Sequence, residues 1–113
     1  MHELSIVLGI VEIAENQIKK HQAQRVETIE LEIGRLAGVE WEALDFAWEA
    51  ATKHTVLENS QREVVSVEGA AKCLECQREF PTTSLFARCP SCEGFFSQII
   101  RGKELRVKSL TII

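Results

Sequence analysis

The chain has 113 residues, 45% of them hydrophobic and 27% charged, with a formal net charge of −4. This composition excludes a disordered chain, and the length allows one domain, or a compact domain with a small satellite that would need a metal to fold. No apolar run approaches the roughly 20 residues that would span a bilayer, and no secretory signal is visible at the N-terminus, so a cytoplasmic location with reduced thiols is expected.

The charge is uneven. Residues 1–60 hold 11 acidic and 5 basic side chains, whereas residues 61–113 hold 6 acidic and 8 basic. An acidic first half disfavours nucleic acid as the main ligand, because phosphate contacts need clustered Lys and Arg. It suits an ordinary solvated surface first, and as the sharper alternative a surface that attracts metal cations or a basic partner.

Residues 3–20 are predicted to form an amphipathic helix, with Leu4, Val7, Leu8, Val11, Ala14 and Ile18 on one face. Ile6, Ile10 and Ile13 add a second stripe, so cover on more than one side is expected. The period then changes to two in Val26–Ile33, where Ile29, Leu31 and Ile33 alternate with polar residues as in a half-buried strand. Gly34 and Gly38 bracket a loop. A second helix is predicted from about Trp41 to His54, with Trp41, Leu44, Trp48 and Ala51 at helical spacing and Trp41, Phe46 and Trp48 expected in packing positions. Residues 58–61 read as a polar connector, Val65 and Val67 as the inner face of a short strand, and Gly69-Ala70-Ala71 as the lead into a cysteine-bearing module. Beyond that module, residues 98–100 and 104–107 read as two strands joined at Arg101-Gly102-Lys103. The apolar parity of the last strand changes between Val107 and Leu110, which a bulge near Lys108-Ser109 would accommodate. The order implies an α+β fold, with residues 1–70 and about 101–113 in one domain, a zinc-ribbon-like insertion at about 71–100, and the last strand returning to the first sheet.

The pairs Cys73/Cys76 and Cys89/Cys92 are separated by 12 residues. Two residues between thiolates let a tight turn aim both sulfurs at one ion, and four thiolates form a closed tetrahedral shell suited to structural Zn²⁺. An iron centre has the same ligand set. Two disulfides fit poorly with reduced thiols, and a redox motif needs only a single CxxC. At the other end, His2 lies one residue from the α-amine, so its Nδ1 and neighbouring main-chain nitrogens could close small chelate rings around a metal, with Glu3 adding an oxygen or a hydrogen bond. Nitrogen-rich, near-planar shells favour Ni(II) or Cu(II). A solvated, unliganded terminal histidine is the plain alternative.

Met1-His2-Glu3, the segment Glu32-Ile33-Gly34-Arg35-Leu36, Val39-Glu40 before Ala43-Leu44-Asp45-Phe46, and the paired CxxC motifs together resemble the HypA/HybF family of hydrogenase nickel-incorporation proteins over essentially the whole chain. The resemblance implies an α+β nickel-binding domain with an inserted zinc domain. It implies Ni²⁺ as transported cargo held by His2 and Glu3 with their backbone nitrogens, and Zn²⁺ as a structural ion on the four cysteines. Glu40 matches a family carboxylate that is often aspartate, and is a candidate further ligand, although an acidic residue near a helix N-terminus also suits the dipole. The implied partners are the nickel-iron hydrogenase large subunit and the hydrogenase maturation GTPase, with a homodimer left open and no membrane role.

No Ser-His-Asp set, phosphate-cradling glycine loop or HExxH helix is present, and four thiolates leave no open zinc position, so no enzyme activity is expected. A reading from a different class is a zinc-ribbon adaptor for protein or nucleic acid. Arg101, Lys103, Arg106 and Lys108 support it, but Glu104 interrupts the run and no stacking platform is legible.

Overall fold

The computed structural model describes residues 2–113. Helix α1 spans Glu3–Lys20 and strand β1 Val26–Gly34; helix α2 spans Trp41–Thr52 and strand β2 Gln61–Val67. Four further strands follow: β3 at Ala70–Cys73, β4 at Glu79–Pro81, β5 at Ser97–Arg101 and β6 at Leu105–Ile112. They form two three-stranded sheets, one ordered β2-β1-β6 and the other β4-β3-β5. The mixed α+β class is as expected, and β6 does return to the sheet of β1.

The chain divides into two compact units. The first comprises the chain through Leu31, then Val39–Val64 and Arg106–Ile113; the second comprises Glu32–Gly38 and Val65–Leu105. In the first unit α1 and α2 pack against each other. The buried face of α1 is Val7, Ile10, Ala14 and Ile18. Leu4 and Leu8 of the expected face and Ile13 of the second stripe are exposed, whereas Ile10 of that stripe is buried and Ile6 half-buried, so a single covered face lies between the two expected stripes. In α2 the buried residues are Leu44, Ala47 and Thr52. Trp41 is 48% and Phe46 78% exposed, contrary to the packing role expected of them: Phe46 lies on the face opposite Leu44 and Ala47, and Trp41, although on their side, is the first residue of the helix. Trp48 is half-buried under the Arg62 guanidinium, 5.1 Å from ring centroid to Cζ, and Arg62 also pairs with Asp45. The alternation along β1 holds: Ile29, Leu31 and Ile33 are fully buried.

The second unit contains the cysteine module and its own sheet. Strand β3 is central, pairing antiparallel with β4 (Ala71 opposite Phe80) and with β5 (Ala71 opposite Ile99). Ala71, Cys73, Phe80 and Cys89 form its small buried core. The expected hairpin at residues 101–103 is not formed, since β5 and β6 belong to different sheets. The segment between them instead knits this unit together. Gly102 O accepts the Leu36 N–H at 2.7 Å, Glu104 O accepts the Gly34 N–H at 2.7 Å, and Gly69 O accepts the Thr82 N–H at 3.0 Å. Gly34, Gly69 and Gly102 are so closely packed here, around Leu36, that a Cβ on any of them would overlap neighbouring backbone. Along β6 the burial changes phase at Lys108-Ser109, both exposed, as the parity of its apolar residues requires.

Candidate metal centre

Each CxxC pair sits on a turn of the same design. In the first, Cys73 Sγ accepts the Glu75 N–H at 3.4 Å and the Cys76 N–H at 3.5 Å, while Cys73 O accepts the Gln77 N–H at 2.9 Å. In the second, Cys89 Sγ accepts the Ser91 N–H at 3.4 Å and Cys89 O accepts the Glu93 N–H at 3.0 Å. Gln77 and Glu93, each just after the second cysteine, have left-handed backbones with φ of 69° and 60°. The first cysteine N–H of each turn is also bonded, Cys73 N to Arg78 O at 2.8 Å and Cys89 N to Gly94 O at 3.1 Å. The two knuckles thus share one turn design, with the sulfur bond to the second intervening residue and both main-chain bonds common to them.

They bring all four sulfurs within 4.8 Å of one another. Cys73 Sγ lies 3.5 Å from Cys92 Sγ, and Cys76 Sγ 3.7 Å from Cys89 Sγ, with all four thiols free. These separations are far beyond a disulfide bond. They match a tetrahedron around zinc, whose edge is about 3.8 Å for a Zn–S bond of about 2.3 Å. The electrostatics agree. The main-chain N–H groups of Cys92 and Ser91 bring the Cys89 thiol down to about 7, toward the thiolate. Cys92 receives a main-chain hydrogen bond from Gly94 that favours its thiolate, but the crowding sulfurs of Cys73, Cys76 and Cys89, with loss of water, push it up to about 12. Four sulfurs this close cannot all ionise unaided, and a bound dication removes that obstacle. The residues therefore fit a structural Zn²⁺, which would cross-link the two knuckles and supply no open coordination position.

His2 is exposed and occupies the N-cap of α1; its imidazole makes no capping bond, while its carbonyl accepts the Ile6 N–H at 3.2 Å. The first N–H groups of a helix have no intrahelical partner. Glu3 Oε2 accepts the Glu40 N–H at 3.2 Å, which joins the N-terminus of α1 to the N-cap of α2. Thus Glu3 and Glu40 meet across 37 residues, but through the main chain of Glu40 rather than its carboxylate. The four cysteines form the only close group of three or more His, Cys, Asp or Glu ligand atoms among the described residues, so His2, Glu3 and Glu40 do not make a preformed side-chain cage. The α-amine of Met1, part of the expected chelate, lies outside the described residues.

The Glu3 carboxyl is held below the usual range, by its own N–H first and then by that of Glu40. A depressed carboxyl favours the folded state above its unfolded value, and that contribution disappears as pH falls through the folded value. Glu3 is accordingly expected to titrate below the ordinary glutamate range. Glu40→Pro, which removes the donating N–H, should raise the midpoint; carboxyl chemical shifts followed against pH will check both.

A family model described as hydrogenase/urease nickel incorporation, metallochaperone HypA, matches residues 1–112. The hydrogenase maturation factor HypA of Parabacteroides distasonis is 46% identical over 112 residues, covering 99% of this chain and 97% of that protein. Its counterpart in Chlorobium phaeobacteroides is 40% identical, covering 99% of each. The solution structure of the Ni metallochaperone HypA from Helicobacter pylori superimposes with a TM-score of 0.74 at 25% identity, covering 100% of this chain and 98% of that one.

Proposed function

The chain belongs to the HypA family of hydrogenase/urease nickel-incorporation metallochaperones, and on that premise we propose that it binds Ni(II) at its N-terminus and delivers it for maturation of nickel-iron hydrogenase. His2 supplies the imidazole and, with Glu3, main-chain nitrogens. The Glu3 carboxylate either ligates or holds the site in place, and Glu40 tunes it. The support is the exposed His2 imidazole, committed to no capping bond, on a helix start that Glu3 ties to a second helix start. An open site of this kind suits a carrier, which must release its cargo as well as bind it.

The closed four-thiolate centre is structural, and the protein moves metal without transforming a substrate. The recipient is the hydrogenase large subunit, and the maturation GTPase is the donor or partner. The setting is cytoplasmic, in keeping with the absence, among the described residues, of any helix long and apolar enough to cross a membrane. The reading is tested by titrating zinc-loaded protein with Ni(II) and then measuring nickel transfer to the apo large subunit. Failure to bind nickel would leave the zinc-ribbon adaptor.

Glu40→Ala keeps the N–H that Glu3 uses, so it removes a carboxylate without breaking the link between the helices. A loss of about 10–100-fold in nickel affinity, typical of outer-shell groups, is the upper range expected. A loss as complete as that from removing the His2 imidazole would make Glu40 a direct ligand.

A further inference from the structure

The cysteine module carries a surface that neither metal site uses. A cavity of about 250 Å³ is lined by Leu85, Phe86, Ala87, Arg88, Phe95 and Ser97. Phe86 is 93% exposed and Phe95 73%, although phenylalanine transfers out of water favourably. Phe86 is not on a frayed end. The Thr82 hydroxyl accepts the Ser84 N–H at 3.0 Å and donates to Ser84 O at 2.9 Å, and the Ser84 hydroxyl accepts the Phe86 N–H at 3.2 Å. These bonds turn the chain so that the ring is held in water.

Arg88 gives the cavity a sign. Its guanidinium lies over the Phe95 ring, 4.5 Å from the centroid, and its Nε donates to Glu93 O at 2.8 Å. That stacking and that bond fix the orientation of the fork, while its terminal Nη groups have no hydrogen-bond partner among the described residues. The buried Ser97 hydroxyl at the same cavity also lacks a partner. An apolar cavity alone would accept any apolar group. A pre-oriented guanidinium at its rim selects a carboxylate, which it can hold through two parallel N–H donors.

We propose that this surface docks an extended segment of a partner protein in which an aromatic or aliphatic side chain is followed by an acidic residue. The apolar side chain enters the cavity against Phe86 and Phe95, and the carboxylate meets Arg88. Aromatic residues, phenylalanine included, and arginine are enriched in protein interfaces. The proposal is independent of the nickel reading, since no group of the N-terminal site takes part.

The test uses full-length, isotopically labelled, zinc-loaded protein without nickel. Blocked peptides Gly-Ser-Phe-Asp-Ser-Gly, and the same with Asn or Lys in place of Asp, are titrated while amide shifts are followed. The Asp peptide should perturb residues 85–97, the Asn peptide should bind several-fold more weakly, and the Lys peptide should not saturate. Phe86→Ser should weaken binding roughly tenfold or more with zinc content unchanged. Arg88→Glu should transfer the preference to the Lys peptide; if it loses zinc, being next to Cys89, Phe86→Ser and the peptide series decide. Equal shifts from all three peptides would overturn the proposal. So would dilution-dependent shifts of the same amides without peptide, which would make a second copy of the chain the occupant, or co-sedimentation with phosphatidylcholine vesicles that Phe86→Ser abolishes.

Discussion

Cys89→Ala is expected to reduce bound zinc from one ion per chain to nearly none and to unfold the cysteine module. Cys89 is buried, belongs to the module's small core and anchors the second knuckle through its sulfur, N–H and carbonyl. That core holds only Ala71, Cys73, Phe80 and Cys89, with Ala87 and Ile99 against it, too few residues to offset the conformational entropy of the segment. Metal binding therefore has to supply the difference, and structural zinc sites of this size supply on the order of 10–16 kcal/mol. Residues 70–101 should lose amide-exchange protection, whereas the helical circular dichroism signal, which arises from α1 and α2, should persist. Zinc analysis with hydrogen exchange is the measurement. Retention of one zinc per chain would contradict the assignment of the shell, and simultaneous loss of the helices would show that the module does not fold separately. Acid should also release the ion from the wild type, because protons compete for the thiolates. Uptake by the metal-free chain should rise with pH, because the thiols must lose their protons to bind the ion.

His2→Ala is expected to have the largest effect on nickel, a loss of more than about 100-fold, beyond the range usual for outer-shell groups. The imidazole is the one soft nitrogen side chain of the proposed site, and its position at the N-cap leaves it free of any structural task. Its removal should therefore change neither helicity nor zinc content, unlike Cys89→Ala. Lower pH should weaken nickel binding in the wild type as protons compete for the imidazole. A nickel titration of both proteins, with circular dichroism and zinc analysis beside it, gives the answer. Equal affinities would move the nickel site away from the N-terminus and leave the proposed carrier without a mechanism.

Much of this arrangement was legible before the structure. Helix α1 and strand β1 announce themselves by a change of period from about 3.6 to 2, and the spacing of the cysteines fixes which sulfurs must converge. The reading failed where tertiary context decides. Strand β4, only Glu79–Pro81, is too short to show a period and contains a proline, which an edge strand tolerates. Residues 98–107 look like a hairpin because local sequence cannot say that two neighbouring strands will join different sheets. Leu4, Leu8, Trp41 and Phe46 have the spacing of packing residues yet are exposed, because hydrophobicity does not reveal which apolar side chains remain in water. The Glu3–Glu40 bond has no sequence signal, since the donor is a main-chain N–H that any residue but proline supplies.

The three crowded glycines hold a further consequence, for heredity rather than for chemistry. Gly34, Gly69 and Gly102 come from segments far apart in the chain, and none carries a group that could touch a metal or a partner. In a library with every position varied, these three columns would be among the emptiest, as blank as those of the cysteines. A reader of that library who equated intolerance with function would draw an active site around them. What the blankness would record is the thickness of a methyl group and, at Gly102, a backbone φ of 109° that side chains rarely accept.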